Sequence, residues 1–196
     1  MLSQVLRFTF PSASTISSAA FLKLRQSIAV ADWPDELRDR SVVSEGLAAI
    51  GVTDATSLLF EFDNAQLENL VKALEAPVCE FACIRLKDDA PLENEALQKS
   101  MHKTYSDTYQ IQGFTGGHWA YAINTNETAG VSCFAPCEEI VPKANRKLGV
   151  YYLGWDSIEL HEDGTQTEAF SEEINRLQPY FGPGSGAWYT MLRQHK

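Results

Sequence analysis

Apolar residues recur along this chain in two rhythms, and the order in which those rhythms follow one another limits the fold more than any other feature. Period two marks strands, and a spacing of about three to four residues marks helices, because strand neighbours point to opposite faces and helical neighbours share one. Residues 4–10 alternate and are rich in β-formers, and Pro11 stops them. Ser12 or Ser14 can then cap a helix with Ile16, Ala20, Leu24 and Ile28 on one face. After a polar stretch, residues 42–50 read as a strand and residues 56–63 as another. Asn64 caps a second helix whose buried stripe is Leu67, Leu70, Val71 and Leu74, and Pro77 closes the section. The order is strand, helix, strand, strand, helix.

The same order returns. Residues 79–86 read as a strand, and Leu97, Met101, Thr104 and Tyr105 mark a helix. A glycine-rich turn at 113–117 leads into a strand at 118–124, and residues 148–155 form the next. A helical region follows from Asp156 to about Pro179. Gly164 interrupts it, and Thr165 with Glu168 makes a capping box that restarts it, with Phe170, Ile174 and Leu177 inward. The turn at 182–186 precedes a last strand at 187–192.

Two such units predict an α+β protein of two fused ferredoxin-like halves, 1–77 and 78–196, each wrapping helices over one face of an antiparallel sheet. The uncovered faces then need each other, and their packing gives a barrel-like pseudo-dimer within one chain. Seven strands are found where two full units have eight, so the strand at 79–86 is a candidate for sharing between halves. The insertion at 125–145 is long for a hairpin, and such loops are functional or disordered.

Charge narrows the partners. Lys and Arg total 16 against 26 Asp and Glu, and the resulting formal charge of -10 repels nucleic acid and anionic membrane. The N-terminus has no basic stretch followed by a long apolar run, and no stretch approaches the ~18 apolar residues of a membrane span. The expectation is a cytoplasmic protein with reduced thiols. Cys79 and Cys83 share a strand face about 13 Å apart, too far to chelate one ion or bond each other. Cys133 and Cys137 can close a small disulfide or stay buried thiols, and no His or Cys pair completes a zinc-finger spacing. No P-loop, Gly-x-Gly-x-x-Gly, Gly-x-Ser-x-Gly or His-Glu-x-x-His occurs, so nucleotide, triad and zincin chemistries have no support.

Residues 151–161, Tyr-Tyr-Leu-Gly-Trp-Asp-Ser-Ile-Glu-Leu-His, resemble the strand-end tryptophan, acidic-Ser step and helix-borne histidine of the antibiotic-biosynthesis-monooxygenase-like group. That group belongs to the dimeric α/β-barrel superfamily. Residues 58–67 look like a decayed copy of the step, with Phe62 in the tryptophan's place, and residues 113–121 are similar to the preceding strand of tandem fungal members. The resemblance implies a pocket between the sheet and helices of a half. Members include cofactor-free oxygenases of polyphenols, haem-degrading enzymes and, in related stress-response barrels, polyketide cyclases. The decayed first copy implies that at most the C-terminal half is equipped for chemistry.

His161 is the first candidate, either as an acid or base for a phenol or enol proton or as a residue that caps or packs the helix start. Trp119, Tyr121, Tyr152, Trp155, Trp188 and Tyr189 load the C-terminal half with aromatic rings, as walls for a flat substrate or as core. Alternation sets Trp119 and Tyr121 on one face and His118 on the other. His102 reads as a solvent or boundary residue, and His195 lies at the frayed terminus. The functional expectation is a cofactor-independent enzyme of polyketide or aromatic small molecules, a monooxygenase or cyclase. His161 and Tyr152 are its catalytic candidates, and Trp155, Trp119, Tyr121 and His118 its substrate-binding ones; no metal or cofactor is expected. The alternatives are a non-catalytic small-molecule-binding or stress-associated barrel, and a haem protein with His161 as axial ligand. Pairing within the chain allows a monomer, and further association a homodimer.

Overall fold

The structure, a computed structural model, describes residues 1–30, 41–135 and 140–192. Two antiparallel sheets organise it. One has the order β1-β2-β5, from β1 (Leu2–Phe8), β2 (Ala55–Glu61) and β5 (Val131–Ser132). The other has the order β4-β6-β3-β7, from β3 (Val78–Arg85), β4 (Phe114–Tyr121), β6 (Leu148–Trp155) and β7 (Gly186–Thr190). The described helices are α1 (Ala19–Val30), α2 (Ser41–Ala49), α3 (Leu67–Glu75), α4 (Glu95–Ser106), α5 (Ile158–Thr165) and α6 (Glu168–Leu177).

The four-stranded sheet has the split βαβ arrangement of a ferredoxin-like fold: β6 lies between β3 and β4, and β3 between β6 and β7. Alternation divides its side chains cleanly. Ala82, Ile84, Tyr151, Leu153, Trp155 and Trp119 face Leu97, Met101 and Tyr105 of α4 and Leu177 of α6. Cys79, Phe81, Cys83, Val150 and Tyr152 face the other way, onto Leu58, Phe60 and Phe62 and onto Leu70 and Ala73 of α3. The sheet face that its own helices leave open is therefore covered by β1, β2 and α3. The outer face of the three-stranded sheet is covered by α1 and α2 through Leu24, Val43 and Leu47.

The two sheets meet at one edge through a bridge between Phe60 and Ala122, supported by Asn124, which accepts from Leu59 N and donates to Ser57 O. The strand at 79–86 is not shared by hydrogen bonding. As β3 it pairs only with β6 and β7, although its side chains serve the cores on both of its faces.

Several expectations are corrected. Ile16 is exposed in a short turn before α1, which starts at Ala19, and residues 114–117, expected as a turn, belong to β4. Residues 42–50 are helical: Val43, Leu47 and Ile50 sit at helical spacing and are buried together, and that period outweighs the β-branched Val42 and Val43. The seventh strand is instead the short β5, in the 125–145 insertion. Asp63, not Asn64, forms the capping box, with Gln66, and Val71 is exposed while Ala73 is buried. Gly164 lies inside α5 against Ile111, and the helix restarts at Thr167, whose Oγ1 accepts from Phe170 N. Thr165 instead donates to Glu162 O. Cys137 and His195 lie outside the described residues.

The contact between α3 and β6 depends on the absence of a side chain at Gly154. A Cβ there would stand 2.8 Å from Ala73 Cα and 2.9 Å from Ala76 Cβ. Gly154→Ala is expected to destabilise by about 1–3 kcal/mol in urea unfolding. Gly186→Ala, where a Cβ meets nothing within 4 Å, is expected to stay within about 0.5 kcal/mol of wild type. Equal stability of both variants counts against a tight α3–β6 contact.

Candidate active site

Between the four-stranded sheet and helices α4 and α6 lies a cavity of about 220 Å³. Its walls are mostly apolar, from Ala82, Ile84, Leu153, Phe170, Ile174 and Phe181, with Thr104 and Thr108 from the α4 side. At its polar corner stand Glu80, Trp155 and His161.

Each of the three arrives from a different element. Glu80 projects from β3 with Ala82 and Ile84, which makes it an inward-facing carboxylate in a central strand. Trp155 ends β6. Ser157 then caps α5 by accepting from Leu160 N, and this cap sets the first turn that turns His161 back toward the sheet. Glu80 is 6% and His161 8% exposed.

Trp155 Nε1 donates to Glu80 Oε2 at 3.1 Å, and His161 Nε2 stands 3.1 Å from the same oxygen. Nδ1 of His161 lies 2.6 Å from the Tyr189 hydroxyl of β7. Glu80 Oε1 has no hydrogen bond among the described residues. Burial pushes the Glu80 carboxyl up from its ordinary value to about 7, against the Trp155 hydrogen bond that lowers it. Burial also lowers His161 below its ordinary value. Near neutral pH a carboxylate can only accept, so the neutral ring donates from Nε2 to Glu80 and accepts from Tyr189 at Nδ1. A protonated Glu80 favours the opposite tautomer.

The structure brings His161 and Trp155 together and separates the other candidates from them. Tyr152 lies on the opposite sheet face, 4% exposed among Phe60, Phe62 and Phe81, with its hydroxyl 3.1 Å from Ser3 Oγ. A catalytic partnership with His161 is therefore withdrawn; the two are divided by the sheet. Trp119 shares the cavity's sheet face, but it stacks on Tyr151 under α4 and donates to the exposed His102. Tyr121 donates to Gln98 Oε1. His118 is held at the β4 edge by Gln66 at 2.8 Å and by the Tyr105 ring, and burial lowers its pKa. None of these three lines the cavity.

Glu80 was missed by sequence reasoning. Its signal was present: an acidic residue at a core-phase position of a strand otherwise made of Val78, Ala82 and Ile84. His161 as an axial haem ligand conflicts with the geometry, since both ring nitrogens are already engaged. Among the described residues, no three metal-ligating side chains gather at one place, and no helix is long and apolar enough to cross a membrane.

No protein-family model matches the sequence, and no curated protein matches it. Its structural neighbours are ferredoxin-like proteins of the antibiotic biosynthesis monooxygenase kind, at low identity. One, from Nitrosomonas europaea and described as an antibiotic biosynthesis monooxygenase, has a TM-score of 0.41 at 7% identity over 58% of this chain and 95% of its own. A Deinococcus radiodurans protein described in the same way has a TM-score of 0.42 at 8% identity over 61% and 95%. A dimeric protein of unknown function with a ferredoxin-like fold, from Bacteroides fragilis, has a TM-score of 0.40 at 12% identity over 59% and 95%. Activity is not carried over at such identities, and the functional reading rests on the site's own geometry.

The site predicts a pH dependence of stability. Glu80 ionises near 4.5 when unfolded and at about 7 in the fold, so between those values the folded state binds more proton. Its contribution is full below the unfolded value and is lost as pH rises through the folded one. His161, lowered by burial, acts oppositely, and its contribution is lost as pH falls below its ordinary 6.5. Relative to wild type, Glu80→Gln is expected to gain on the order of 1–3 kcal/mol between about pH 4.5 and pH 7.5 in urea titrations. A difference that does not change with pH would show that Glu80 titrates normally.

Proposed function

We propose that the chain is an acid–base enzyme acting on a small, flat, hydrophobic molecule that carries a phenolic or enolisable proton, with Glu80 as the base. The observation that carries this reading is the unengaged Oε1 of a buried carboxylate lining an apolar cavity, while Oε2 is fixed by Trp155 and His161. A base whose ionisation lies near the working pH combines the right protonation state with useful driving force. His161 orients the carboxylate and shares its proton, a narrower role than the independent base expected from sequence.

Size limits the substrate. A cavity of ~150 Å³ accommodates benzene, so about 220 Å³ suits a substituted single ring, or one end of a longer molecule. Removing a proton from a phenol or a carbon beside a carbonyl leaves an anion delocalised over the substrate. That anion can attack dioxygen, which gives oxygenation, or a carbonyl of the same molecule, which gives cyclisation. Both fates begin with the same transfer to Glu80, and both draw their electrons from the substrate.

The test is a panel of substituted phenols, anthrones and β-dicarbonyl compounds, followed by Trp155 fluorescence for binding and by oxygen uptake and product analysis for turnover. At least one compound is expected to turn over with a rate that rises through about pH 7. Glu80→Gln is expected to lower that rate by ~10²–10⁴-fold while leaving binding within about tenfold. Binding without conversion of any compound supports a non-catalytic binding protein instead, and turnover that survives Glu80→Gln removes Glu80 as the base.

A further inference from the structure

Glu80, His161 and Tyr189 form a single line of hydrogen bonds across three elements. The distances are 3.1 Å from Glu80 Oε2 to His161 Nε2 and 2.6 Å from His161 Nδ1 to the Tyr189 oxygen. The first two residues are buried, whereas Tyr189 is only half-buried. Tyr189 sits on β7, an edge strand of its sheet, and does not line the cavity. A ligand in the cavity meets Glu80 and His161, but Tyr189, the outer end of the line, lies outside it.

We infer that the Tyr189 hydroxyl is the port through which Glu80 exchanges its proton with solvent, by way of the His161 ring. The inference rests on the reading of Glu80 as the site's proton-handling group. Inward transfer begins from the carboxylate. The Nε2 proton passes to Glu80 Oε2, the Tyr189 proton passes to Nδ1, and a proton from water replaces it on the phenol oxygen. Three N–H or O–H bonds break and three form, one proton has moved from solvent to Glu80, and outward transfer is the reverse.

The groups facing this line fit the task. The His161 ring is bordered by the Trp155 ring at 4.7 Å and by the Tyr189 ring at 5.5 Å, neither of which carries charge at neutral pH. Burial raises the Tyr189 pKa, and its charged neighbours Glu80 and Glu162 raise it further. The raised pKa keeps the resting phenol protonated and able to donate to His161.

The experiment needs no substrate. Exchange of the His161 ring N–H with water is measured by NMR above the Glu80 transition, in wild type, in Tyr189→Phe and in Ala82→Leu, which narrows the cavity from a position that makes no hydrogen bond in the line. Tyr189→Phe is expected to slow exchange by at least roughly tenfold, and Ala82→Leu to leave it unchanged. The reverse pattern, with exchange slowed by Ala82→Leu and unaffected by Tyr189→Phe, assigns the route to the cavity and overturns the inference. If Tyr189→Phe loses its cooperative thermal transition, a fluorinated tyrosine at position 189 replaces it. Its more acidic hydroxyl is expected to speed exchange, and an unchanged rate overturns the inference equally. Failure of the enzyme reading shows in the turnover panel and leaves this measurement intact, so the two failures are separable.

Discussion

The four-stranded sheet presents two apolar faces, and the rest of the chain is arranged around covering both. All eight residues of β6 are buried, a pattern expected of a strand covered on each side and not of one that faces water. Helices α4 and α6 cover one side. On the other, β1, β2 and α3 bring Leu58, Phe60, Phe62 and Leu70 against Phe81 and Tyr152. Close approach is possible because glycines stand where backbone meets backbone, most clearly at Gly154 under Ala73. The cavity lies between this sheet and the helices that cover it, with Thr104 of α4, His161 of α5 and Phe170 and Ile174 of α6 in its wall.

Into this wall the sheet sets a carboxylate, Glu80. A buried ionisable pair is poor evidence for stability, since desolvation offsets much of what the partners contribute, and an apolar replacement of similar volume is often as good. Glu80 is nonetheless placed at a core phase of a central strand, with Trp155 and His161 both converging on one of its oxygens. Core packing alone has no use for such an arrangement. A perturbed carboxyl beside a cavity, with one oxygen unengaged, fits a group kept for proton chemistry.

Much of the fold was legible because local rhythm and burial agree in most elements. β1, β2, β3, β6, β7 and α4 follow from their periods. The largest failure arose because a local pattern can satisfy two periods. Val42 and Val43 favour a strand by composition, yet Val43, Leu47 and Ile50 make a helical stripe that Leu24 completes from α1; only the partner decides. The site was half legible. His161 and Trp155 came from a local motif, and the structure places both at one corner of the cavity. Tyr152 is three residues from Trp155 and so faces the other way, and sequence could not show which face of β6 carried the site. Glu80 and Tyr189 come from strands far apart in sequence that meet only through pairing, Glu80 opposite Leu153 on one side and Tyr189 on the other.

The aromatic load takes on a different meaning once these faces are known. Trp119 on Tyr151, and Tyr152 among three phenylalanines, are ring-on-ring packing that stiffens the sheet from both sides. Few rings remain to touch a ligand: Tyr151 and Trp155 from the sheet, with Phe170 and Phe181 opposite. The stiffness has a chemical consequence. β3 carries Phe81 into the core between the sheets and Glu80 into the cavity on adjacent residues, so the strand that anchors one core also fixes the carboxylate. A base held by a strand packed on both faces has little freedom to turn toward water, and the hydrogen bonds that orient it need not be remade each time a ligand enters.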